Sequence, residues 1–263
     1  MRCVLCWLSI IFLCVSGCTT AKKSAIPVYV YHQFSPFVND HQTDLSELFV
    51  EYLNRHTSYH WQLVLLSRAE LNSLRAQGRQ GAILWSNPKW FGHSPDIKVS
   101  EPLLWDADVL VYNQQQPLVG NFPSAIIHKS FCTVAGHRYL ALEPYFADSR
   151  VKVIEQSSQD ACVQLLKSKQ VDFIQLEKSN LFTEHTQALK NDLGFIEPAI
   201  DNFQRFVLVS TSYSYVLPQL NQVIINLHKD KQWQRELEKI GESRFVDLFE
   251  LNLEELMKVE MPD

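Results

Sequence analysis

Short apolar runs alternate with amphipathic stretches along most of this chain. Residues 26–31 (IPVYVY) are rich in β-branched and aromatic side chains and predict a strand that ends at a turn around Pro36. In residues 44–56 the apolar Leu45, Leu48, Phe49, Tyr52 and Leu53 recur at helical spacing, and Asp44 with Glu47 has the form of a capping box. A helix with one face for a sheet is predicted there. Residues 61–66 (WQLVLL) predict a second strand, Ser67 and Glu70 cap a second helix that stops at Gly78, and residues 81–85 (GAILW) predict a third strand. Strands and helices in this alternation imply a parallel sheet with right-handed crossovers.

The same order recurs further on. Residues 131–135 (FCTVA), 151–154 (VKVI) and 171–176 (VDFIQL) predict strands, with helices over 138–146 and 158–167 between them. Two more strand-like runs, 103–113 (LLWDADVLVYN) and 203–209 (FQRFVLV), flank this second unit. They are the crossings a chain needs if it leaves a first lobe, builds a second and returns. Amphipathic helices over 216–228 and 231–240, and an acidic helix over 245–257, complete the first lobe. The fold class expected is α/β, two-lobed, each lobe a mostly parallel sheet flanked by helices.

The N-terminus changes the compartment. Residues 3–15 are apolar and uncharged, too short to span a bilayer comfortably and of the length of a signal-peptide core. The run ends Val15-Ser16-Gly17-Cys18, which resembles a bacterial lipobox. That resemblance implies cleavage after residue 17, lipidation of Cys18, a tether over 18–25 and a periplasmic body anchored to the cell envelope, with the outer membrane slightly preferred because Thr19 is not aspartate. An ordinary signal peptide with a chance cysteine is the alternative. Of six cysteines, only Cys132 and Cys162 remain in the folded body, as one bridge or as two buried thiols.

Composition then excludes several functions. With 24 basic and 29 acidic residues and a formal charge of -5, no surface for tracking phosphates is expected, so nucleic acid is not an expected partner. Signature motifs for nucleotide, zinc or serine-hydrolase chemistry do not occur, and no metal or cofactor is expected.

Several short motifs come in a recognisable order: Ser35-Pro36-Phe37, a strand over 78–84, Val99-Ser100-Glu101-Pro102, Val171-Asp172-Phe173-Ile174 and Leu220-Asn221-Gln222-Val223-Ile224. Together they resemble the extracytoplasmic solute-binding proteins of family 3, which have the type II periplasmic binding fold and bind polar amino acids. The resemblance implies a first lobe of residues 26–112 and 207–263, a second of 113–206, and hinges near 111–114 and 204–206. It also implies a monomer that holds a small polar solute between closing lobes for an ABC-type importer or a membrane sensor, and is not an enzyme.

In such sheets the ligand lies beyond the carboxyl ends of the strands. Phe34, Phe37, Trp85 and Trp90 then offer apolar walls, the alternative for each being packing within a lobe. Asn87-Pro88-Lys89-Trp90 stands where the family carries T-P-E-R, so Asn87 is a candidate and tryptophan replaces the carboxylate-gripping arginine. Arg138, at a predicted helix N-terminus, is a candidate for an anionic group, and otherwise a surface arginine. Glu177, at a strand end, is a candidate for an amino group, and otherwise pairs with Lys178 or Arg138. An interaction or sensory module of the same fold is the second reading. A cyclohexadienyl-dehydratase-like enzyme using Glu177, His137 and Arg138 is the third.

Overall fold

Residues 25–38, 44–181, 192–227 and 229–239 are described by a computed structural model. Cys18 and the helix expected over 245–257 lie outside these residues. In the first lobe, β1 (Ile26–Val30), α1 (Leu45–His56), β2 (Trp61–Leu65), α2 (Arg68–Ala76) and β3 (Ala82–Ser86) follow in the expected order. The local signals work as the sequence implies. Asp44 Oδ1 accepts the Glu47 amide at 2.8 Å. The Ser67 amide donates to Glu70 Oε2 at 2.6 Å while Ser67 Oγ accepts from the Glu70 amide at 3.2 Å, a closed capping box. Gly78, at φ +75°, turns the chain out of α2 where a Cβ would be strained.

The second lobe holds β5 (Leu104–Asn113), β6 (Ser130–Val134), α3 (Glu143–Ala147), β7 (Lys152–Gln156), α4 (Gln159–Lys167), β8 (Phe173–Glu177) and α5 (Lys178–Leu181). A strand of 18 residues, β9 (Leu193–Ser210), then runs back, with the short β4 (Ile97–Val99) paired along it. Among the described residues nine strands connect, eight of them in the order β2-β1-β3-β9-β5-β8-β6-β7 and β4 off this path against β9. Pairing is parallel at β1–β2, β1–β3, β6–β7 and β6–β8, and antiparallel where the long strands β5 and β9 enter. The helices Leu217–Leu227 and Lys231–Lys239 return to the first lobe, where Leu220, Ile224, Trp233 and Leu237 pack with Leu45, Phe49 and Leu53 of α1.

Three features depart from the sequence reading, and the cysteine pair resolves an alternative that it left open. The helix expected over 138–146 begins only at Glu143, because Pro144 has no amide hydrogen and is tolerated only in a first turn. Strand β9 starts ten residues before the expected 203. Its pairing with β5 slips between Asp108/Asp201 and Leu110/Ile196, and the extra residues, Pro198 among them, form a bulge that needs no ladder bond from proline. Cys132 and Cys162 are bridged, with Cα atoms 5.5 Å apart. On β5, Leu104 packs in the first-lobe core while Ala107, Val109 and Val111 already pack in the second.

The disulfide closes a loop of about thirty residues, which in the chain-entropy account adds 3–4 kcal/mol of stability, roughly, to the oxidised protein. Reduction, or replacing both cysteines by serine, is therefore expected to lower the melting temperature by roughly 5–15 °C in a calorimetric scan. An unchanged melting temperature would contradict the bridge.

Candidate functional site

Where the two long strands cross between lobes, their polar residues turn inward. Arg205 of β9 is fully buried. Its Nε donates to Asp106 Oδ2 at 2.8 Å, Nη2 lies 2.7 Å from that same oxygen, and Nη1 donates to the Trp85 carbonyl at 2.9 Å. Rings of Phe37, Phe203 and Trp90 stand 4.6, 5.1 and 5.5 Å from the guanidinium carbon. Asp106 is equally buried and fully answered: Oδ1 also accepts the Ala107 and Ser179 amides, and Oδ2 the Ser179 hydroxyl at 2.7 Å. One ion pair thus joins the first lobe at Trp85, both crossing strands, and α5 of the second lobe.

Beside this pair lies a narrow cleft, partly open to solvent. Tyr31, His32, Arg68 and Trp90 line it from the first lobe. Asp108, His137, Arg138, Tyr139, Gln175, Glu177 and the disulfide line it from β5 and the second lobe. Direct bonds cross between the walls: Asn180 Nδ2 donates to the Ser35 carbonyl at 2.9 Å, and Arg138 Nη1 to the Lys89 carbonyl at 3.5 Å.

Several polar atoms in this cleft are buried without a partner. They are His32 Nδ1, Arg68 Nε and Gln175 Oε1. His32 Nε2 faces Arg205 Nη1 at 3.4 Å, and since a guanidinium can only donate, the imidazole proton sits on Nδ1. The first-lobe wall therefore presents N–H donors, His32 Nδ1 and Arg68 Nε. The second-lobe wall presents acceptors, Gln175 Oε1 and the carboxylates of Asp108 and Glu177.

Electrostatics follow from burial. Burial, with Asp106 adding to it and Arg205 opposing, raises the Glu177 carboxyl to about 7. Asp108 is pushed well above the carboxylate range by burial and by Glu177, Asp106 and Asp201. Burial, then the charges of Arg68 and Arg205, lowers His137 to about 4. His32 lies well below its usual value for burial first and Arg205 second.

The seven side chains singled out from sequence fall into two groups. Trp90, Arg138 and Glu177 line the cleft, and Phe34 packs half-buried beside it against His32. Phe37, Trp85 and Asn87 do not line it. Trp85 has φ +57° at a register shift of β3, which turns its carbonyl to Arg205 and its ring into the first-lobe core, where Nε1 donates to Ser46 Oγ at 2.9 Å. Phe37 packs on Trp85 with ring centroids 5.3 Å apart. Asn87 caps the turn at Pro88, accepting the Lys89 amide, and donates to the Gln204 carbonyl. Arg138 is held by Glu143 through two bonds of 2.8 and 2.7 Å, so its fork is occupied.

The sequence reading passes over Arg205, Asp106, Asp108, Arg68, His32 and Gln175. One signal was available: two acids, two apart, inside the otherwise apolar run at 103–113 must share a face, and a buried face with acids needs partners.

No protein-family profile and no curated protein matches this chain. Solved structures do. An ancestral arginine-binding protein bound to arginine superposes with a TM-score of 0.68 at 13% identity, over 82% of this chain and 98% of that one. The GluR0 ligand-binding core from Nostoc punctiforme in complex with L-glutamate gives 0.62 at 14%, over 84% and 97%. The substrate binding protein of an amino acid ABC transporter gives 0.60 at 15%, over 87% and 100%. At these identities the likeness defines the fold, which is the two-lobed type II periplasmic binding fold.

Breaking the ion pair should be costly. Arg205→Met leaves the Asp106 charge buried without a counter-ion and is expected to destabilise by about 3–5 kcal/mol in chemical denaturation, while the double variant Asp106→Leu/Arg205→Met recovers part of that loss. A second expectation concerns pH. Glu177 titrates near 7 when folded against 4.5 as a free side chain, so its contribution is full below 4.5 and is lost as pH rises through 7. His137, lowered to about 4 from 6.5, acts oppositely, contributing above 6.5 and losing its contribution as pH falls through 4. The difference between Glu177→Gln and wild type isolates the carboxyl: the variant should gain on wild type between about pH 5 and 8, by about 3 kcal/mol. A flat difference would contradict the burial of Glu177.

Proposed function

We propose that this chain is a solute-binding protein that captures a small polar solute between its two lobes and presents it to an ABC-type importer or a membrane sensor, without covalent chemistry. The observation that carries this reading is the cleft itself, in which two buried donors on one wall, His32 Nδ1 and Arg68 Nε, and one buried acceptor on the other, Gln175 Oε1, lack partners within the protein. A solute with both kinds of group would satisfy both walls at once, and only when they are close. Ligand would thereby shift an equilibrium between open and closed lobes.

The bends belong near residues 104–107 and 203–206. The first lies earlier than the 111–114 read from sequence, since most of β5 packs in the second lobe. Trp90 supplies a stacking face and Glu177 a polar anchor. The arginine- and glutamate-bound structures that share the fold make an amino-acid-like solute the first class to try. Lipidation at Cys18 would hold this monomeric body at the periplasmic side of a membrane. No helix among the described residues is long and apolar enough to cross a membrane, which is compatible with such an anchor.

A thermal-shift screen of residues 19–263 against amino acids, polyamines, organic acids and sugars tests this. A solute at 100 times its dissociation constant should add about 2.7 kcal/mol. The shift should vanish in Trp90→Ala, and scattering should report a smaller radius of gyration with solute. Cooperative unfolding with no shift from any compound would remove solute capture and leave a binding fold used as an interaction module.

A further inference from the structure

Asp108 of β5 and Glu177 of β8 are direct partners in the antiparallel register, so their side chains leave the same face of the sheet, with Cβ atoms about 4.5–5.5 Å apart. Both line the cleft. Two carboxylates in that position repel, and a pair in a shared buried site keeps a proton that isolated carboxylates would lose. The nearby cation relieves them only in part. Arg205 Nη2 comes to 4.0 Å from Glu177 Oε1, but its Nε and Nη2 lie on Asp106 and its Nη1 on Trp85. Its charge is already matched.

The remaining groups around the pair are fixed in charge near neutral pH. From the segment after β1 and the turn after β6, His32 and His137 are neutral, their protonation disfavoured by burial and by the arginines. Tyr31 and Tyr139 are held protonated by burial. Arg68 faces the cleft from α2, Arg138 is bound by Glu143, and Asp201 is the register partner of Asp108 on β9. The carboxylate pair is thus what titrates.

A second observation makes the pair a site for a ligand. Gln175 Oε1, on the same face two residues before Glu177, is buried without a partner, and His32, only 2% exposed, has its Nδ1 unpartnered in the same cleft. Two carboxylates and an amide oxygen converge on one wall, and a group with several N–H donors would answer all three.

We propose that Asp108 and Glu177 share one proton in the ligand-free cleft and exchange it for the cationic group, a primary ammonium or a guanidinium, of a small organic solute. The proton passes to solvent and the cation takes its place. This rests on the cleft being the solute site, and adds Asp108 as the residue that sets charge preference and couples binding to pH.

Calorimetric titrations with agmatine, putrescine, L-arginine and L-glutamate, each in phosphate and in Tris at several pH values between 6 and 8.5, test the proposal. At least one of the three cationic probes is expected to bind, releasing up to one proton near pH 6 and none at pH 8.5. Its affinity should rise up to tenfold per pH unit below about 7 and then level off. In Asp108→Asn, checked for cooperative unfolding, proton release and pH dependence should disappear, which a merely structural role would leave intact. Glu177→Gln provides the same readout should Asp108→Asn not fold. Cation binding without proton exchange, cation binding unchanged in Asp108→Asn, or calcium binding in preference to every organic cation would overturn it. Binding of L-glutamate alone, lost in Trp90→Ala, would overturn it while leaving solute capture standing. Failure of all probes, and of the wider solute screen, would remove both.

Discussion

A fully buried guanidinium is tolerable only when its charge and its donors are answered from within the protein. Arg205 meets most of that condition by drawing on both halves of the molecule, its Nη2 lying in ion-pair contact with Asp106 without a hydrogen bond of its own. Asp106 supplies the charge, Trp85 supplies a carbonyl, and three aromatic rings exclude water. Asp106 in turn receives the amide and hydroxyl of Ser179 in α5. The position of α5 relative to the crossing strands, and of the first lobe relative to both, therefore depends on one ion pair at the point where β5 and β9 leave one core for the other.

The cleft takes its chemistry from this arrangement. Because Asp106 holds Arg205, the next two carboxyl groups on the same face, Asp108 and Glu177, are left facing the cleft with only a share of that cation, which stands 4.0 Å from Glu177. Because Arg205 faces His32 Nε2, the imidazole proton is on Nδ1, a buried donor without a partner on a residue that lines the cleft. A polarity across the cleft results, donors on the first lobe and acceptors on the second, and it is built by the same residues that hold the lobes together. The unusual backbone at Trp85 belongs to this network as well, since its left-handed turn is what presents the carbonyl to Arg205.

Local signals carried most of the architecture. Periodicity located α1, α2, α4 and the parallel strands to within a residue or two, since each depends on burying one face of one element. Capping at Asp44 and at Ser67 with Glu70 is a contact between residues three apart, so it is legible without any tertiary information. The bulged half of β9 was not, because Pro198 is a strand breaker unless a partner strand accommodates the slip. Glu177, Trp90 and Arg138 were legible as cleft residues from their places at strand ends and in the loops after strands. Trp85 was not, since the direction of its ring depends on a one-residue bulge against β9.

By itself, then, the sequence determined an α/β chain that leaves one lobe, builds another and returns, together with an N-terminal apolar run ending in a cysteine. Tertiary structure decided which charges face one another. Asp106 and Arg205 are separated by 99 positions and Asp108 and Glu177 by more than sixty, and nothing in either neighbourhood specifies the partner. Coulomb interactions in a buried site depend on distances of a few ångströms set by strand register. A shift of one residue in β5 would turn these acids to the opposite face, and register is fixed only when both sheets and both cores form together.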